Sequence, residues 1–148
     1  MIFSQAFIIN KLESFTTHRT HLERLLHSSD QEIFASEEKL PAIERHFQLL
    51  VDAMIDINQH LIQELKFDVP EDLFSTFVVV GRAGVLDLSF AQRIAPIVGV
   101  RNRLVHQYEA IDQALFLRNL RQHFGDFSSY QRQILAALKS THDRSPTQ

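Results

Sequence analysis

Between residues 5 and 27 the apolar side chains Phe7, Ile8, Leu12, Phe15, Leu22, Leu25 and Leu26 recur at mostly helical spacing, with polar residues between them. That pattern predicts a first helix. It ends at Ser28, Ser29 and Asp30, and a short segment reaches about Ala35 before Ser36, Glu37 and Glu38 offer an N-cap followed by acids in a first turn. The second helix is expected to run to about Lys66. Its apolar positions Ile43, Phe47, Leu50, Met54, Ile57, Leu61 and Leu65 step by 4, 3, 4, 3, 4 and 4 residues. This is close to the repeat that lets a long helix lie along a partner, so a long antiparallel neighbour is implied.

Pro70 interrupts the pattern, because proline lacks a donor and restricts the residue before it. A short third helix follows from about Glu71 to Val80 and closes at Gly81 or Gly84. The run from Phe77 to Val80 is β-prone in isolation, but it lies between helical patterns with no partner strand and reads as buried helix. Asp87 caps a fourth helix that turns Phe90, Ile94, Val98, Leu104 and Val105 toward the core, with Pro96 and Gly99 kinking it. Asp112 caps a fifth through about His123, and a last helix spans about Phe127 to Ser140. The expected fold is therefore all-α, an up-down bundle of five to six helices in which two long antiparallel helices are joined by shorter ones.

Composition agrees with this reading. Only 4 Gly and 4 Pro occur in 148 residues, too few turn residues for a β-sandwich or barrel. The length fits one domain, divided here into an N-terminal helix and loop (1–35), a core (36–140) and a flexible tail (141–148). The absence of cysteine removes disulfides, thiolate metal sites and cysteine nucleophiles. No apolar run approaches the roughly 20 residues of a membrane span, and no basic segment precedes the apolar residues at the start, so a cytoplasmic protein is expected.

The net charge of −3 argues against a nucleic-acid partner until its distribution is considered. Residues 1–90 hold 7 Lys/Arg against 14 Asp/Glu, whereas residues 91–148 hold 8 against 4, and seven of those eight are arginines. A site for a phosphate-bearing ligand belongs in the second half, where arginine can make bidentate contacts.

The densest chemistry there is the segment Val100-Arg101-Asn102-Arg103-Leu104-Val105-His106-Gln107-Tyr108. At about 100° per residue, Arg101 and Tyr108 fall within about 20° of each other and Asn102 and His106 within about 40°, but Arg101 and His106 diverge by about 140°. Those two can converge on one ligand only if the helix bends or a second subunit closes the site. Alone, each residue has an ordinary explanation: a single Tyr on a helix usually packs, and a single Arg is usually solvated.

Taken together, Arg101, His106 and Tyr108 resemble the R-X4-H-X-Y motif of the HEPN superfamily, and specifically the HepT-like toxins of HEPN/MNT toxin–antitoxin pairs. The surroundings fit: a helix across residues 42–61 carrying Glu44, Arg45, Asp56 and His60, the Pro70 break, the Gly84-Val85-Leu86 turn, and Glu109-Ala110-Ile111-Asp112 leaving the motif. The likeness covers roughly residues 36–140. It implies a metal-independent endoribonuclease without cofactor, acting on tRNA or mRNA as a homodimer with the two motifs facing across a cleft. Arg101 and His106 would be catalytic, with Asn102, Arg103 and Asp56 in support. Tyr108 would be the residue to which a partner MNT nucleotidyltransferase attaches AMP, silencing the toxin. The alternative is an inactive HEPN module that binds a nucleotide or docks a nucleotidyltransferase.

Two other clusters stand apart from the motif. Asp52, Asp56 and His60 step by four along one helix face, so Asp56 and His60 could form an orienting pair or line the cleft, while Glu44 and Gln48 continue the same stripe as a solvated surface would. His18 and His21, with His27 beyond, have the one-face spacing of metal ligands but no carboxylates at fitting steps, and no metal is expected there.

Overall fold

The computed structural model describes residues 5–106 and 111–143. Among them are eight helices: α1 Gln5–Leu25, α2 Asp30–Ala35, α3 Lys39–Glu64, α4 Leu73–Arg82, α5 Leu88–Ile94, α6 Ile97–His106, α7 Gln113–His123 and α8 Gly125–Asp143. No strand occurs among the described residues, and the β-prone run from Phe77 to Val80 lies within α4.

The long partner implied by the stripe on α3 is α1. Phe7 stacks on His60, Lys11 pairs with Asp56 and His18 bonds to His46, so the two helices run antiparallel. The stripe from Ile43 to Leu61 is buried, but so are Val51, Ala53, Ile55, Asn58 and Ile62. The helix is buried on several sides because α1 covers one flank and α4 and α6 cover others. Tyr130 of α8 reaches this centre fully buried: its hydroxyl donates to Asn58 Oδ1 at 2.7 Å and lies 3.1 Å from the Met54 carbonyl. Asn58 Nδ2 in turn donates to Thr76 Oγ1 of α4 at 3.3 Å. Burial raises the Tyr130 phenol well above its usual pKa, so it stays a neutral donor.

Helix ends explain where the expected boundaries shift. The segment after residue 28 is itself helical, because Ser29 and Glu32 close a capping box: Glu32 N donates to Ser29 Oγ, and Ser29 N donates to Glu32 Oε1. Ser36 accepts from Glu38 N and Lys39 N, and α3 starts at Lys39, just beyond the expected cap. At the far end of α3, Lys66 adopts φ 55° and Phe67 N donates to the Ile62 carbonyl, a Schellman ending. Helix α4 ends the same way, with Gly84 at φ 85° and Val85 N donating to the Val80 carbonyl. Of the two glycines proposed to close that helix, Gly84 does so. Gly81 lies inside it, where an added Cβ would come within 2.6 Å of the Ala91 Cβ of α5.

The expected fourth helix is two helices. Pro96 cannot donate to a preceding carbonyl, so the chain turns at Ala95 and Pro96 and α6 starts afresh at Ile97, with Gly99 inside it. At the other end, α8 extends through Asp143, beyond the expected start of a flexible tail at residue 141.

Candidate active site on the Arg101 helix

Helix α6 packs against α3 through its Arg101 side. Arg101 Nε donates to Asp52 Oδ1 at 2.7 Å, and Arg101 NH1 donates to Asn102 Oδ1 at 2.9 Å. Two of the five guanidinium N–H groups are thus used, and the other three have no hydrogen-bond partner among the described residues. The Arg101 and Asp52 side chains are 21% and 30% exposed, deep enough to fix the fork and open enough for a ligand to reach it.

His106 is the last residue of α6 and is exposed. Because α6 is continuous from Ile97 to His106, the Arg101 and His106 directions stay about 140° apart within one chain. Asn102 and Arg103 lie about 40° and 60° from His106 and flank it more closely than Arg101 does. Arg103 is exposed and makes no hydrogen bond or ion pair with a described residue. Tyr108 lies outside the described residues.

The Asp52–Asp56–His60 stripe is divided among three partners, and Asp56 and His60 do not pair with each other. Asp52 holds Arg101. Asp56 is held by Lys11 Nζ at 2.8 Å, because the antiparallel course of α1 brings that ammonium opposite it. His60 stacks on Phe7 with ring centroids 4.4 Å apart, and its Nε2 is buried without a partner among the described residues. The pairing of Asp52 with Arg101 has no local sequence signal: 49 residues separate them.

The histidines of α1 also have a partner that their spacing did not reveal. His18 Nδ1 and His46 Nδ1 lie 3.0 Å apart, and His21 stacks on His46 while its Nδ1 contacts Arg24. One of the His18 and His46 rings must donate and the other accept, which requires at least one neutral imidazole. Burial chiefly, then the charges of His21 and Arg45, holds His18 below its usual pKa. Burial, then His18, His21 and Arg24, does the same for His46. Among the described residues no three His, Cys, Asp or Glu side chains are gathered as metal ligands would be, and His27 is exposed beyond the cluster.

Some arginines of the basic half are structural. Arg121 donates to the Leu26 and Ser28 carbonyls at 2.6 and 2.8 Å and to Asp30 at 3.0 Å, tying α7 to the α1–α2 connection. Arg93 reaches Asp126 at 3.3 Å and lies over the Phe90 ring. No helix of the described residues is long and apolar enough to cross a membrane.

This all-helical arrangement is the HEPN fold. It matches the tri-AMPylated Shewanella oneidensis HEPN toxin, solved in complex with an MNT antitoxin, at a TM-score of 0.77 and 18% identity over 90% of this chain and 97% of that one. It also matches YutE of Bacillus subtilis, a cytosolic protein of unknown function, at a TM-score of 0.82 and 17% identity over 99% of this chain and 96% of that one. The family model described as ribonuclease HepT-like covers residues 9–134, and a protein named tRNA nuclease HepT from Aphanizomenon flos-aquae is 33% identical over 131 residues, 88% of this chain and 89% of that one. The chain belongs to the HepT-like ribonuclease family.

Proposed function

We propose that this protein is the toxin of a HEPN/MNT pair: an endoribonuclease that needs no metal, works as a homodimer, and is silenced when a partner nucleotidyltransferase attaches AMP to Tyr108. The observation that carries this reading is the set Arg101, His106 and Tyr108 at motif spacing, with Arg101 seated on Asp52 and His106 exposed at the end of the same helix. The relative named a tRNA nuclease favours tRNA as substrate, and the AMPylated neighbour bound to an MNT antitoxin favours the partner.

In this mechanism His106 takes the proton of a ribose 2′-OH, and the 2′ oxygen attacks the adjacent phosphorus. The bond from phosphorus to the 5′ oxygen breaks, and that oxygen takes a proton from His106 of the partner subunit. The products are a 2′,3′-cyclic phosphate, which water can open to a 3′-phosphate, and a 5′-hydroxyl end. Arg101 holds the scissile phosphate with the N–H groups that Asp52 and Asn102 leave unused, and it stabilises the charge that builds there. The 140° divergence along α6 favours a dimer, since a second copy supplies the groups that one copy directs elsewhere. AMP on Tyr108 would bring phosphates to the same arginine and exclude RNA.

A gel assay with total tRNA and an unstructured RNA in EDTA, wild type beside His106→Ala, tests this. Cleavage by the wild type alone is expected. Equal cleavage by both would remove His106 from the mechanism, and cleavage by neither, with the intact mass showing no AMP on Tyr108, would favour the inactive binding module.

A further inference from the structure

A cavity of about 620 Å³ opens where the α5–α6 turn faces α7 and the start of α8. This is within the roughly 300–1,000 Å³ usual for small-ligand sites. Its apolar side combines Ile97 and Val100 of α6 with Phe47, Phe116 and Phe127, whose rings meet edge to face. Leu115 is 41% exposed at the mouth, leaving an apolar surface open to solvent. The polar side has two characters. Arg103 and Asn119 are exposed and make no hydrogen bond with a described residue, whereas Arg93 is ion-paired with Asp126 at 3.3 Å and His123 Nδ1 lies 3.9 Å from the other oxygen of that carboxylate.

We propose that this cavity binds one unstacked nucleotide of the RNA substrate, next to the phosphate that is cut. The inference rests on the nuclease reading above and deepens it, because it says where substrate preference would reside. A flat base needs an apolar surface to replace its stacking neighbours, together with a few polar groups at its edge. The cavity provides the first through Val100, Leu115 and Phe116, and the second through the Asn119 amide, which can both donate and accept. Arg103 supplies the charge for the nucleotide's phosphate.

The position fits the chemistry. Arg103 lines the cavity and precedes His106 by one turn, about 4.5 Å along the axis of α6, on nearly the same side of the helix. A nucleotide seated here would deliver its neighbouring phosphate to the His106 end of the helix. A nucleobase carrying a phosphate could come from RNA or from free AMP, and the two ligands separate the sources.

The test is isothermal titration of the full chain carrying His106→Ala, so that RNA is not cut, with a single-stranded RNA hexamer and with AMP. The added variants Asn119→Ala and Leu115→Glu both change exposed side chains, and thermal melts confirm their folding. The proposal expects the hexamer to bind more tightly than AMP and to lose about tenfold in affinity with Leu115→Glu and a smaller factor with Asn119→Ala. In chains with His106 intact, KM for RNA should rise while kcat holds.

Hexamer affinity within about twofold of the parent in both variants would overturn the proposal. So would a Leu115→Glu chain that loses its dimeric state while still binding RNA normally, since the face would then be a contact between copies. AMP binding as tight as the hexamer would overturn the RNA assignment. If the wild type cuts RNA and neither variant moves KM, the subsite fails while the nuclease reading stands. If the wild type does not cut but both variants lose the hexamer, the subsite stands and the nuclease reading fails.

Discussion

Asp52 and Asp56 lie one turn apart on α3 with similar exposure, yet they serve different regions of the molecule. Asp56 is held by Lys11 of α1, a flank where side chains of the two helices meet in pairs: Lys11 with Asp56, His18 with His46, Phe7 with His60. Asp52 is held by Arg101 of α6, whose guanidinium has donors to spare, on a helix that ends in the exposed His106. The α1 flank closes a seam, while the α6 flank presents groups outward. Under the proposed mechanism the pairing of each carboxylate therefore separates scaffold from working surface, although both belong to one periodic stripe.

The sharpest way to break this contrast is to compare single changes on the two flanks. His106→Ala should lower RNA cleavage by about 10²–10⁴-fold, the usual contribution of a positioned acid or base. Lys11→Ala should leave cleavage unchanged and cost at most about 1 kcal/mol, as exposed ion pairs do. Equal losses in the gel assay would erase the distinction.

The centre shared by both flanks should show the next effect. Asn58→Ala leaves the buried Tyr130 hydroxyl without its 2.7 Å acceptor and should cost about 2–3 kcal/mol, measured by urea or thermal unfolding. A loss below about 0.5 kcal/mol would mean the network is not structural. Asp52→Ala should reduce cleavage by about tenfold with little change in melting temperature, because it loosens the seat of Arg101 without opening the core. A large drop in melting temperature would make Asp52 part of the scaffold instead.

The α1 flank carries its own signature in pH. His18 and His46 have folded pKa values below their ordinary 6.5, so the unfolded chain binds more protons as pH falls through that value. Stability from these groups is present above about pH 6.5 and falls as the pH drops toward the folded values. Burial raises the Glu44 carboxyl, which acts in the opposite sense at lower pH. Melting temperature should decline between about pH 7.5 and 5.5, and His46→Gln should flatten that decline. The smallest effect is expected at Lys66→Gly, which relieves a left-handed residue at the end of α3 and should raise stability by less than about 1 kcal/mol in the same unfolding experiment.

What the sequence made legible follows from the range of its signals. The stripe on α3, the Asp87 and Asp112 caps and the Pro70 break are local, and the structure has a helix for each of the first three and a non-helical stretch at Pro70. Helix α2 is six residues long and buries only Ile33, too short to show a period, although Ser29 and Glu32 already spelled its capping box. Pro96 looked like a kink because apolar residues continue on both sides of it, and only the turn at Ala95 shows two helices. For the candidate site, Arg101, Asn102, Arg103 and His106 could be read as a string. Asp52, His46 and Asn58 could not be assigned their partners: each is a polar residue on a long helix, and its meaning depends on which helix the fold lays against it.

The most direct test of the central account is to identify the ends that cleavage leaves. RNA incubated with the wild-type protein in EDTA and analysed by mass spectrometry should yield fragments ending in 2′,3′-cyclic phosphate or 3′-phosphate, followed by fragments beginning with a 5′-hydroxyl. Fragments carrying 3′-hydroxyl and 5′-phosphate ends would mean that water rather than the ribose 2′-OH attacks phosphorus, and would contradict the role assigned to His106.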